Sequence, residues 1–385
     1  MPTPDVTLIT PFPALGERHG GWTGVASYSA NLAGALGDAG ARVTVLAAAE
    51  PGEPAVARDG ALEGRRVWRR GAGALPAAAA AALATGAPAV HLQHELFLYG
   101  GPAAVPGVVP ALAALRGPRA VVTMHHVVDP RSVDAAFTST HRVRAPAPLA
   151  RVGVAAVQRT IGALADAVVV HEPSFAAVVP GAEVVPHGIE VPERSDRAAA
   201  RAALGVEDGR LCVLCFGFLS PYTGLEAALG AARLAGDAIE LVVAGGEHPR
   251  LKATGDGYAD RLRATAPPNA RFTGFVPGAD VARWFAAADV ALLPYPRPFA
   301  SSGPLALALA HRTPVVLSQA LARTTGAPEE MAVGTDPEAI AARLLILAAD
   351  GEQRDRLRTA AATLAAGRTW PEIARRHLDL YARRA

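Results

Sequence analysis

The chain reads as an α/β protein made of two doubly wound, parallel-sheet domains, and three observations predict this. At 385 residues it exceeds one ordinary hydrophobic core and suits two. It opens with a strand over 6–10, a loop rich in glycine and proline (PFPALGERHGGWTG), a helix over 25–36 and a strand over 42–46. That β–loop–α–β start marks a doubly wound sheet. The same alternation then restarts after a charged, alanine-rich segment that begins at Glu193.

In the first half, further strands are expected over 66–69, 89–92, 120–124, 167–170 and 183–185, with helical stretches between most of them. The segment ERSDRAAARAALGVEDGR reads as a linker and a short helix, which puts a hinge near residue 195. Beyond it, strands are expected over 211–216, 239–244, 271–273, 290–293 and 315–317. Helices are expected from Leu225, around Asp260 and from Ala279. The segment 370–383 is amphipathic, with Ile373, Leu378 and Tyr381 on one side.

Composition narrows the function. Hydrophobic residues are 51% and charged residues 19%, so the chain folds and is not disordered. A net charge of +2 argues against a dedicated nucleic-acid binder. Cys212 and Cys215 lie inside an apolar run, LCVLCFGF, with no second pair. They read as buried thiols in a reducing compartment. The N-terminus has no basic region before its first strand, so no secretory signal is read and a cytoplasmic location is expected. Two uncharged stretches, 71–92 and 96–115, are interrupted by prolines and do not read as membrane spans.

The stretch 289–316 carries the strongest site signal. A short apolar strand runs into Pro294, Pro296 and Pro298, then Ser301, Ser302, Gly303 and an Ala/Leu helix. Serine caps helix starts, proline suits the first turn, and glycine lets a ligand approach the backbone. Free N–H groups there make a phosphate site. An ordinary capped helix is the plain alternative.

The first βα loop holds Gly20, Gly21, Trp22, Thr23 and Gly24. It is not G-x-G-x-x-G, so a nicotinamide cofactor is not expected. Histidines gather at strand ends: His91 and His94 with Glu95, His125 with His126, His171 with Glu172, and His187. Strand carboxyl ends share one rim of a sheet, where ligands bind. In a two-domain protein that places the site in the cleft between the domains. His91 and His94, three apart on a strand, do not face each other, so no metal is expected.

Segments GGWTGVASYSANLAGALGDAGARVTVLA, VVTMHHV, ADAVVVHEPS, VVPHGIE, CFGFLSPYTGLEAAL, LVVAGG, RFTGFVP and 290–316 follow one another in an order that resembles bacterial family 4 glycosyltransferases. The resemblance covers nearly the whole chain. It implies a GT-B fold: two Rossmann-like doubly wound domains facing across a cleft. Residues 1–193 would bind acceptor and 205–369 the nucleotide-sugar donor, with helix 370–385 packing back on the first domain. The implied reaction is metal-independent hexosyl transfer with retention, using a UDP- or GDP-sugar as co-substrate and no cofactor.

Under this resemblance His125 matches the strand-end histidine that faces the donor sugar. Thr23 and Gly24 match the paired glycines of the first loop, and Ser301, Ser302 and Gly303 the loop that holds the diphosphate. Phe275 and Val276 match positions near the base. The acceptor would lie along His94, Glu95 and the loop after His126.

Three departures stand out. After Gly217 the family has Arg where this chain has Phe218, and before Gly224 it has Lys where this chain has Thr223. Its paired Glu would fall at Phe299 and Leu307. Each lost charge-assisted contact is worth about 1.5–3 kcal/mol. Arg297, His248 and Arg250 are the nearby cations that would substitute.

The leading expectation is a glycosyltransferase acting on a small-molecule or glycan acceptor. The alternatives are a catalytically silent partner of an active transferase and a GT-B sugar-nucleotide epimerase. RRVWRR, four cations around Trp68, is a candidate for weak contact with a membrane surface, against an edge strand with solvated arginines.

Overall fold

The computed structural model of the chain describes residues 3–18, 23–141, 143–192, 195–247, 255, 257–297 and 301–383. It divides into two compact units. Unit 1 comprises Met1–Gly188, Phe299–Ser301 and Trp370–Ala385; unit 2 comprises Ile189–Pro298 and Ser302–Thr369.

Unit 1 is built on an eight-stranded sheet of order β3-β4-β2-β1-β5-β6-β7-β8. The strands are β1 Val6–Ile9, β2 Val43–Ala48, β3 Val56–Asp59, β4 Leu62–Trp68, β5 Ala89–His94, β6 Arg119–Met124, β7 Ala167–Val170 and β8 Glu183–Val184. Only β3 runs antiparallel, paired with β4. The central strands β1, β2 and β5 are buried along their whole length; β1 and β2 are mostly apolar, while β5, AVHLQH, buries two histidines and a glutamine. Helix Gly24–Asp38 is capped by Thr23, whose Oγ1 accepts from the Val25 N–H at 3.3 Å. Helix Trp370–Ala382 also belongs to this unit, where it packs on helix Gly24–Asp38.

The strand expected over 66–69 is the end of β4, and its edge partner β3 went unread. A two-residue turn, Gly60-Ala61, with Gly60 at φ 55°, joins Asp59 to Leu62. This hairpin also changes the reading of RRVWRR. Trp68 is 1% exposed and its indole N–H donates to the Leu46 carbonyl at 3.1 Å, so it does not face a lipid surface. Arg66 turns inward and donates to the carbonyls of Phe12 (2.8 Å) and Pro13 (2.7 Å).

Unit 2 holds a six-stranded, fully parallel sheet of order β11-β10-β9-β12-β13-β14. Its strands are β9 Leu211–Phe216, β10 Ile239–Ala244, β11 Ala270–Gly274, β12 Val290–Leu293, β13 Val315–Ser318 and β14 Ala332–Val333. Aspartates cap several of its helices, as at Asp196 and Asp336. Cys212 and Cys215 are free and buried on β9, and burial pushes both thiols up to about 12. They are therefore neutral and unreactive at physiological pH. No helix among the described residues is long and apolar enough to cross a membrane.

Candidate functional site

Each sheet has a point where strand order reverses, and ligands of such sheets bind outside the strand ends there. In unit 1 that point lies between β1 and β5; in unit 2 it lies between β9 and β12.

At the unit 1 rim, β5 ends in His94 and β6 is followed by His125 and His126. The His125 N–H donates to the His94 carbonyl at 2.9 Å, which continues the β5–β6 ladder by one residue. His125 is 8% exposed and both its ring nitrogens are engaged. Nε2 lies 2.8 Å from Gln93 Oε1, and Nδ1 lies 3.1 Å from His171 Nε2. Burial, reinforced by His171, His187, His91 and His94, holds its pKa well below the usual imidazole range. The ring of Tyr28 meets His125 edge-on at 4.7 Å and also touches His171 and His187.

His94 is buried with no hydrogen bond at Nδ1, and burial lowers its pKa to about 4. His126 is buried beside the His141 ring, 6.0 Å away. Glu95 is half-buried, and its carbonyl accepts from Leu98 N–H at 3.1 Å. Thr23 caps a helix with its hydroxyl, and Gly24 is the exposed first residue of that helix. Gly20, Gly21 and Trp22 lie outside the described residues. Ser301 is grouped with this unit, where its hydroxyl donates to Glu172 Oε1 at 2.9 Å. Its side chain is thus already engaged.

The sequence reading overlooked Gln93, which sits at the centre of this rim. Alternation along HLQHE places residues 91 and 93 on one face of β5, and that was the available signal. It also overlooked His377 and Tyr381, which reach His91 from the last helix. Tyr381 OH is 2.7 Å from His91 Nδ1, and the His377 ring stacks on His91 at 5.2 Å.

At the unit 2 rim, Cys215, Phe216, Gly217, Phe218, Thr223, Leu225, Pro294 and Tyr295 line a shallow cavity. Helix Gly303–Ala310 begins beside it: a Cβ added to Gly217 would come within 3.0 Å of Pro304. The Ser302 hydroxyl accepts from Leu305 N–H at 3.2 Å, and Pro304 has no N–H. Gly303 carries its N–H at the helix start, in open surroundings. Thr223 is buried and Phe218 is 46% exposed, so neither supplies charge. Arg297 is exposed; His248, Arg250 and Phe299 lie outside the described residues. Phe275 is 75% exposed at the end of β11, an open ring face, while Val276 is buried.

A larger cavity, about 200 Å³, lies elsewhere, under the loop after β1 and lined by Phe12, Leu15, Pro54, Gly64 and Arg66. The loop over it leaves β1, one of the two strands at the reversal, and the Arg66 guanidinium beside it already binds the Phe12 and Pro13 carbonyls. The strand-reversal points carry the functional argument.

Two parallel doubly wound sheets, each with a glycine-bearing rim at its reversal point, define the GT-B class of fold. Residues 210–350 match the family described as Glycosyl transferases group 1. The chain is similar in structure to sucrose-phosphate synthase from Thermosynechococcus elongatus, with TM-score 0.75, 20% identity and 98% of each chain covered. HepE from Anabaena, solved in complex with UDP and glucose, gives TM-score 0.68, 14% identity and 98% coverage of each chain. Trehalose 6-phosphate synthase from Burkholderia multivorans gives TM-score 0.64 and 13% identity, covering 98% of this chain and 96% of that one. No curated protein matches the sequence.

Proposed function

We propose that the chain is a retaining, family 4-like glycosyltransferase that moves a hexose from a UDP- or GDP-sugar to a small-molecule or glycan acceptor. The observation that carries this reading is the match of residues 210–350 to group 1 glycosyl transferases, over the segment that holds the capped helix start and the rim of β9 and β12. The complex of HepE with UDP and glucose supports a nucleotide sugar as donor. In this reading the backbone N–H groups of Ser301, Ser302 and Gly303 meet the diphosphate, with Gly217, Thr223 and Arg297 nearby. Phe275 and Val276 meet the base. His125 faces the sugar, and His94, Glu95 and His126 meet the acceptor, with Thr23 and Gly24 at the first loop. Metal independence and a cytoplasmic location belong to the same proposal.

The test is a thermal-shift panel of UDP, GDP, ADP and TDP with their sugars, followed by donor consumption with and without chelator. A ligand at a hundred times its Kd stabilises by about 2.7 kcal/mol, which a melting curve resolves. The reading is lost if no nucleotide shifts the melting temperature and no donor is consumed. A second reading, a silent partner of an active transferase, is favoured by the uncharged Phe218 and Thr223. It predicts nucleotide binding too weak to shift the melt and co-purification with a homologue. Donor conversion without acceptor would point instead to an epimerase.

A further inference from the structure

Six side chains of unit 1, His171, His125, Gln93, His91, Thr123 and Tyr381, form one continuous hydrogen-bonded chain. It starts at the Val185 carbonyl, which lies 2.9 Å from His171 Nδ1. It continues from His171 Nε2 to His125 Nδ1 (3.1 Å) and from His125 Nε2 to the Gln93 amide (2.8 Å). The other end of that amide lies 3.1 Å from His91 Nε2, which also meets Thr123 Oγ1 at 2.7 Å. Tyr381 OH closes the chain at His91 Nδ1.

A carbonyl only accepts, so His171 Nδ1 carries a proton. If His171 is neutral, its Nε2 is a bare lone pair and His125 Nδ1 must donate to it. A neutral His125 then has a bare Nε2, and Gln93 must turn its NH2 toward His125 and its oxygen toward His91. If instead the Gln93 oxygen faces His125, then His125 Nε2 must carry a proton. The His125–His171 pair then holds one proton more than two neutral rings. The two arrangements differ by that proton and by a half-turn of one amide.

We propose that Gln93 is a positioning residue for His125: the direction of its amide and the proton count of the His125–His171 pair are a single variable. With the pair neutral, His125 Nε2 is an acceptor. A ligand hydroxyl takes the place of the Gln93 NH2 with no change of protonation, whereas a carboxylate or phosphate oxygen is refused. This consequence rests on the reading of His125 as the sugar-facing residue and makes the favoured ligand group there a hydroxyl. The titratable groups around the pair are His91, His94 and His377, His187, Tyr28 and Glu172, the neighbour of His171 in the chain. The structure draws Gln93 Oε1 toward His125, but the two ends of an amide are alike in shape, and burial with the surrounding imidazoles favours the neutral pair with the amide turned by a half-turn.

The experiment is long-range nitrogen–proton NMR of the histidine rings in the full chain at pH 7.5. The expected spectrum has His125 and His171 both neutral, with the His125 proton on Nδ1. Gln93→Glu offers only acceptor oxygens, so it draws a proton to His125 Nε2 and converts the pair to its charged form. The pair's apparent pKa rises by at least one unit, and the acidic limb of the kcat/KM profile for sugar transfer moves up by the same amount. A neutral His125 protonated at Nε2 in the wild-type chain overturns the proposal. So does a folded Gln93→Glu chain whose rings titrate as before. The wild-type spectrum decides the matter even where the variant does not fold. Failure of the transferase reading shows only in the activity arm and leaves the spectra unchanged.

Discussion

The Thr223 hydroxyl donates to the Ser220 carbonyl at 2.6 Å and closes the turn that leads into helix Leu225–Ala235. The side chain at this position is therefore tied into its own turn and presents no charge to the rim of β9. Beside it, Phe218 presents a ring where a cation would serve a diphosphate. A charge-assisted contact contributes about 1.5–3 kcal/mol, or roughly 10- to 150-fold in affinity. The double variant Phe218→Arg, Thr223→Lys is expected to tighten UDP or GDP by at least tenfold in titration calorimetry. It also loses the turn bond, for about 1 kcal/mol of stability. Unchanged affinity in the folded variant would mean that no diphosphate sits at this rim.

Asp289 organises the opposite end of β9. Its Oδ2 accepts from Cys212 N–H at 2.8 Å and lies 3.3 Å from Arg201 NH1, while Oδ1 meets Arg197 at 2.6 Å. Arg201 is buried and also donates to the Ala287 carbonyl at 3.0 Å. Without Asp289, Arg201 keeps its exposed partner Asp208 at 3.1 Å, so the loss falls below the cost of a fully orphaned buried charge, to about 2–3 kcal/mol with the Cys212 N–H left unpaired. Asp289→Ala is expected to lose about that much in urea unfolding, well beyond the effect at the exposed pair of Arg42 and Asp5.

The strands of unit 2 were legible because buried parallel strands are continuous apolar runs, such as LCVLCF and VALL. The hairpin of β3 was not, because VARD is mostly exposed and carries no apolar pattern; only the glycine of the turn at Gly60-Ala61 betrays it. Strand β14 is two residues long, too short for any pattern. At the site, histidines drew notice because they titrate. Gln93 does not titrate, although it joins His91 to His125. The contact of His91 with Tyr381 spans 290 residues, and no local pattern encodes a partner so distant.

Buried neutral histidines make stability depend on pH in a definite direction. His94 and His377 both fall to about 4 in the folded chain, chiefly through burial. Unfolded, they titrate near 6.5 and bind more protons than the native state between those values. Their contribution is therefore complete above about pH 6.5 and is lost as the pH falls toward 4. The slope is about 1.4 kcal/mol per pH unit for each histidine. Urea midpoints measured from pH 7.5 to 4.5 should fall steadily, and His377→Asn should shallow the slope by roughly one histidine's share. An identical slope in that variant would remove His377 from the account.

The two ends of helix Leu225–Ala235 offer a paired test of how tightly the unit 2 rim is built. Gly224 precedes the helix at φ 70° and Gly236 follows it at φ 57°. Gly224 is left-handed at ψ 29°, where an alanine costs about 1–2 kcal/mol, whereas Gly236 at ψ −139° lies where glycine alone is at ease, so its backbone penalty is the larger. Their surroundings differ. A Cβ at Gly236 meets nothing within 4 Å, whereas one at Gly224 would lie 2.2 Å from the Pro294 carbonyl oxygen. That contact holds the loop after β9 against the loop after β12, the two loops that flank the strand reversal. Gly236→Ala is expected to cost only the backbone penalty and to leave nucleotide binding intact. Gly224→Ala must push the loops apart, so it is expected to cost more than its own backbone penalty and to weaken nucleotide binding at least tenfold. Unchanged nucleotide affinity in a folded Gly224→Ala chain would show that the close approach of Gly224 to Pro294 does not shape the rim.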